Sequence, residues 1–217
     1  MTSLADLGPL AQLRAGRLTL RLTQLVVGVA LYGVSLGMMI RAALGVAPWD
    51  MLHLGLTQRL PLDLAAAVML TSVVVMLGWI PLREKPGIGT IVNTLVVGPS
   101  ADLSLHVIPS PTMLVARLAL LVGGVLLCAL ASAMYIGAQF GRGPRDGLMT
   151  GLVRRTGLSM RLVRTSIEAS VVVLGLLLGG PLGLGTVLFA VGIGPLTQWM
   201  LPAWIVALAP REETVAC

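Results

Sequence analysis

The stretch Leu44-Gly45-Val46-Ala47-Pro48-Trp49-Asp50 returns 96 residues later as Phe140-Gly141-Arg142-Gly143-Pro144-Arg145-Asp146, and Gly87-Ile88-Gly89-Thr90 returns at the same interval as Gly183-Leu184-Gly185-Thr186. Laid over itself at that offset without a gap, the chain matches at 21 of 72 positions from Gly28 to Pro99, where its composition alone gives roughly one in ten. The matches include Gly55 with Gly151, Arg59 with Arg155 and Gly98-Pro99 with Gly194-Pro195. Glycine and proline set backbone shape rather than bulk, and shared shape is what a duplication preserves. The chain therefore reads as two copies of one unit, expected over 22–110 and 111–207, with an N-terminal segment 1–21 and a tail 208–217.

Hydrophobic residues make up 56% of the sequence and charged residues 11%, with a mean hydropathy of +0.94. So few charges cannot cover a soluble sphere of this size, so the chain is expected in a lipid bilayer. Apolar windows of about 20 residues, enough to cross about 30 Å of hydrocarbon, fall near 22–40, 64–82, 88–108, 113–137, 165–182 and 184–206. The fold class expected is all-α and polytopic: six transmembrane helices, three per copy. The first span is long and glycine-rich, without a clear cleavage site, and reads as a retained helix rather than a signal peptide.

The net charge of +6 comes from basic residues at the ends of apolar spans, with no basic-aromatic motif, so no nucleic-acid partner is expected. With both termini in the cytoplasm, twelve basic residues lie inside and only Arg41, Arg59 and Arg117 outside. An odd number of spans per copy then inserts the second copy upside down. The corresponding loops agree, since 41–63 is nearly neutral and 141–164 strongly basic.

After the first span of each copy comes a stretch, 48–60 and 144–156, too short to cross the bilayer and expected to lie on it or dip into it. Pro48 and Pro144 suit a first helical position, and Asp50 and Asp146 then fall in the first turn. Helix-start chemistry accounts for these residues. So does a ligand site shared between two half-helix N-termini, with Arg41, Trp49, His53 and Arg145 around it as candidate ligand-binding side chains. Glu168 lies within a span, where a carboxylate is costly; it is a candidate for proton coupling or the partner of Arg164. Asp102 is read the same way, with Arg117 as its partner.

Cys128 and Cys217 have no metal-like spacing, Gly33 and Gly37 read as a packing face rather than a dimer interface, and the two Gly-x-Gly-Thr turns lack the lysine of a phosphate loop. No Ser–His pair or metal cluster is visible, so neither cofactor, metal nor enzymatic activity is expected. One lysine against fourteen arginines fits a GC-rich bacterial genome.

The segments Arg41-Ala42-Ala43-Leu44-Gly45-Val46-Ala47-Pro48-Trp49-Asp50 and Gly143-Pro144-Arg145-Asp146-Gly147-Leu148-Met149-Thr150, with the Gly-x-Gly-Thr turns in order, make the chain resemble the YczE/YyaS/YitT family of bacterial integral membrane proteins from about Arg17 to Pro202. Transport is what the resemblance implies. The expectation is a small-molecule secondary transporter or exporter of the bacterial cytoplasmic membrane, its partners being the lipid bilayer and an unnamed substrate. The alternatives are an accessory or assembly protein, and a substrate-binding subunit needing a separate energising partner.

Overall fold

The computed structural model describes residues 8–208; Arg211, Cys217 and nearly all of the expected tail lie outside them. Among the described residues the chain is helical and contains no strand. The first half comprises α1 (Pro9–Arg14), α2 (Leu18–Ala42), α3 (Pro48–Arg59), α4 (Leu64–Leu77) with its one-turn continuation α5 (Trp79–Leu82), and α6 (Ile88–Val107). The second comprises α7 (Leu114–Gly137), α8 (Pro144–Thr156), α9 (Met160–Leu177) and α10 (Leu184–Trp204).

Five helical stretches among these residues are long and apolar enough to cross a membrane: Leu18–Ala42, Leu64–Leu82, Ile88–Val107, Leu114–Gly137 and Leu184–Trp204. The sixth expected span is displaced. Ser159 accepts the Leu162 N–H and starts α9 early, which brings Arg161 and Arg164 into the helix with Glu168. The helix ends at Leu177 because Gly179 turns left-handed and Pro181 follows.

The centre is α2 packed along α7, with α6 against α2 and α10 against α7. Leu25, Val29, Leu36, Met39, Leu121, Val125 and Cys128 fill the core between them. Gly33 and Gly37 face α6, where a Cβ would collide with Val97 or Ser104, so this small-residue face packs within the chain.

Contacts between the halves come in exchanged pairs at the 96-residue interval. Gly89 donates its N–H to Phe140 O, and Gly185 donates to Leu44 O, each at 2.8 Å. Thr90 Oγ1 donates to Arg142 O at 2.6 Å, and Thr186 Oγ1 to Val46 O at 2.7 Å. The Gly-x-Gly-Thr segments are therefore docking points for the other half's turn. They need glycine because a Cβ on Gly87 would stand 2.6 Å from Phe140 O, and one on Gly183 2.5 Å from Leu44 O. Backbone conformation repeats too: Ala43 with Gln139, Gly45 with Gly141 and Arg83 with Gly179 are all left-handed.

Arg21 and Arg117 extend the exchange. Arg21 donates to Ala138 O at 2.9 Å and Gln139 O at 2.8 Å at the end of α7, while Arg117 donates to Ala42 O and Ala43 O at the end of α2. Each guanidinium satisfies carbonyls that a helix C-terminus leaves without partners, and places its charge at the negative end of the dipole. Arg21, expected to flank the first span, lies inside α2 with no exposed surface, its guanidinium 4.3 Å from the Phe140 ring centroid.

Candidate functional site

The half-helices α3 and α8 bring their N-termini together in the middle of the molecule. Pro48 and Pro144 hold the first helical positions behind the extended residues Ala47 and Gly143, and one position further along, the Arg145 guanidinium lies 4.8 Å from the Trp49 ring centroid. These two residues are each other's counterparts at the 96-residue interval. Tyr32 from α2 and Tyr135 from α7 meet edge to face above them, with centroids 6.2 Å apart. Arg145 donates to the Tyr32 hydroxyl at 3.3 Å, and the Tyr135 hydroxyl donates to Asp146 Oδ2 at 3.0 Å.

Asp50 and His53 lie behind this group, each about 1% exposed. Asp50 Oδ1 stands 3.3 Å from His53 Nδ1, and neither carboxylate oxygen accepts a well-formed hydrogen bond from the described residues. Asp50 is thus a first-turn acid of α3 that is buried rather than solvated.

A cavity of about 360 Å³ opens from this centre. Tyr32, Trp49, His53, Pro144, Arg145 and Asp146 form its inner end; Thr71 and Ser72 of α4, Asn93 and Val97 of α6, and Phe189 and Ile193 of α10 form its walls. Arg164 and Glu168 of α9, with Thr197 and Gln198 of α10, stand towards its mouth. Among the described residues no three His, Cys, Asp or Glu side chains gather as a metal would require.

The profile of a family described as "Family of unknown function (DUF6198)" matches residues 19–202. The chain belongs to that family. Among similar proteins, an uncharacterized protein of Haemophilus influenzae is 38% identical over 177 residues, covering 82% of this chain and 81% of the relative. The uncharacterized membrane protein YczE of Bacillus subtilis is 28% identical, covering 85% of this chain and 87% of its own. The uncharacterized protein YyaS of the same organism is 29% identical, with 81% and 90% covered. No solved structure matches significantly. The resemblance to YczE and YyaS read from the sequence is thus shown, and with it a membrane-protein family whose function is unknown.

In this YczE-like chain the remaining candidates separate. Arg41 is absent from the cavity lining; its guanidinium donates to Leu105 O and to Ser110 Oγ at 2.8 Å, at the end of α6. Asp102 does not pair with Arg117, whose donors go to the end of α2; its carbonyl instead accepts from His106. Glu168 pairs with Arg164 at 2.9 Å, with 26% and 44% of the two side chains exposed, towards the cavity mouth.

Sequence reasoning missed Tyr32 and Tyr135. They are the chain's only tyrosines, each deep in an apolar span, and a buried hydroxyl needs a partner. It also missed Arg21, although position 21 matches position 117 at the same interval.

Proposed function

We propose that the protein is a small-molecule secondary transporter or exporter of the bacterial cytoplasmic membrane, built from two inverted three-helix repeats that rock about the central cavity. The exchanged contacts support the repeat. When residue i meets j + 96 and i + 96 meets j, applying the exchange twice restores the chain, which is the property of a twofold axis. Counterparts that touch, as Trp49 and Arg145 do, lie beside that axis. With α9 as the sixth pass, about 27 Å long at 1.5 Å per residue, each copy crosses three times and the axis lies in the membrane plane. The half-helices then start near the midplane, both termini are cytoplasmic, and the cavity opens to the cytoplasm.

The observation that carries transport is a place where the exchange fails. In the first copy α4 packs along α6, and a Cβ on Gly98 would stand 2.7 Å from Ala65 O. In the second, α9 and α10 barely touch, and a Cβ on Gly194 would meet nothing within 4 Å. One sequence unit thus adopts a closed and an open arrangement in one molecule. Exchanging the two arrangements would close the present mouth and open the opposite one, as alternating access requires.

The test uses cysteine pairs in a background lacking Cys128 and Cys217, in membrane vesicles. A pair at Met76 and Thr94, whose side chains touch across α4 and α6, should cross-link readily, and a pair at their counterparts Val172 and Ala190 should cross-link during cycling, each bridge stopping flux. If the second pair never joins under any gradient, the molecule does not rock.

A further inference from the structure

Resting on the reading of the cavity as the place where the transported molecule binds, we infer that its ligand is a small organic monocarboxylate, gripped by Arg145, with its apolar body along α6 and α10. The deciding feature is how little of Arg145 the protein uses. A guanidinium presents five N–H donors in a planar fork. Among the described residues Arg145 spends one of them, on the Tyr32 hydroxyl at 3.3 Å, and rests on the Trp49 ring.

The acids nearby do not take up the rest. No carboxylate of the described residues stands within ion-pair distance of Arg145. Asp146 is held by the Tyr135 hydroxyl, and Asp50 lies against His53. The result is a cation at the inner end of a cavity, fixed by an aromatic ring and a phenol, with its remaining donors available to a bound group. Forked N–H donors fit the two oxygens of a carboxylate in parallel hydrogen bonds.

The surroundings narrow the class. The N-terminus of α8 begins one residue before Arg145 and that of α3 one residue before Trp49, adding positive potential at the same end. Asp146 stands on the same wall, so a second negative charge on the ligand would face it; this favours one carboxylate over a phosphate dianion. Val68, Val97, Phe189 and Ile193 offer an apolar surface for the body of the molecule. Asn93, Thr197 and Gln198 line the cavity with no hydrogen bond of their own among the described residues, and would meet polar substituents. A volume of about 360 Å³ is at the lower end of small-molecule sites, roughly 300–1,000 Å³.

The experiment compares three probes with one ring and different head groups, phenylacetate, phenethylamine and 2-phenylethanol, titrated into the purified full-length protein in detergent. Phenylacetate should bind about 10- to 100-fold more tightly than the other two, and Arg145→Gln should remove that advantage. Arg145→Lys, which keeps the charge and loses the fork, should retain part of it. A readout that needs no variant is modification of the wild-type protein by phenylglyoxal with mass-spectrometric mapping, in which phenylacetate should protect Arg145 while phenethylamine does not. Equal binding of the three probes, undiminished phenylacetate binding by Arg145→Gln, no measurable binding of phenylacetate, or labelling of Arg145 that phenylacetate leaves unchanged would each overturn the inference. Carboxylate recognition in a protein whose Val172–Ala190 pair never closes would keep this inference and end the transport reading. Rocking without Arg145-dependent carboxylate binding would do the reverse.

Discussion

Arg21 and Arg117 perform one task in different surroundings, and the difference sets what each is worth. Arg21 is wholly buried and binds three carbonyls, those of Gln12, Ala138 and Gln139, while Arg117 binds two and is partly exposed. Hydrogen bonds from a charged donor contribute about 1.5–3 kcal/mol each when their loss strands a buried acceptor. Arg21→Ala should therefore lower stability by about 2–4 kcal/mol and Arg117→Ala by about half as much, read from thermal unfolding in detergent; equal losses would mean that burial adds nothing to the cap. The Arg164–Glu168 pair sits at the other extreme. It is an exposed pair four residues apart on one helix, worth about 0.3–0.5 kcal/mol. Glu168→Gln should leave the melting temperature nearly unchanged. Loss of gradient-driven flux in that variant with exchange intact would then identify proton coupling, and normal gradient-driven flux would leave Glu168 a surface partner of Arg164.

Among the helices, the informative pair is α6 and α10, which share a Gly-Pro step at Gly98-Pro99 and Gly194-Pro195 and differ in what lies against it. Each proline removes one backbone hydrogen bond and loosens the helix there. Gly98→Val should destabilise the α4–α6 contact and expose cavity residues from the opposite side, because its side chain would press on the Ala65 backbone. Gly194→Val has room in the present arrangement and should cost under about 1 kcal/mol. It should nevertheless stop flux by blocking α9 from closing. A Gly194→Val protein that transports normally would show that α9 and α10 never need to meet. By contrast, Gly185→Ala should be poorly tolerated in any state, with a loss of about 1–3 kcal/mol or more in thermal unfolding, since its Cβ would overlap Gly45 O.

For the whole molecule, the prediction concerns sidedness. Gln58 at the end of α3 and Thr156 at the end of α8 are both exposed, and are two residues short of being counterparts. In intact cells an impermeant thiol reagent should reach a cysteine at position 58 and reach one at position 156 only after the membrane is opened. Labelling of both from outside would exclude inverted copies. The sequence by itself determined that the chain is helical and membrane-embedded in character, that it repeats every 96 residues, and where most helices lie, because hydropathy and glycine and proline positions act locally and survive duplication. It also picked out Trp49, His53, Arg145 and Asp146, which the fold gathers at the inner end of one cavity. It put Arg41 beside them because the two stretches are close along the chain, yet Arg41 turns to the end of α6, where carbonyls lacking partners attract it. Only the tertiary structure decided that counterpart residues meet across the centre, that Tyr32 and Tyr135 pack beside them, that Arg21 is buried, and that α4 packs along α6 while α9, packed on α3, barely touches α10. The Gly-Pro step is the same in both halves, while the helix beside it carries Ala65 and Val68 in the first and Arg161 and Arg164 in the second, so the difference in packing is set by contacts between segments far apart in sequence.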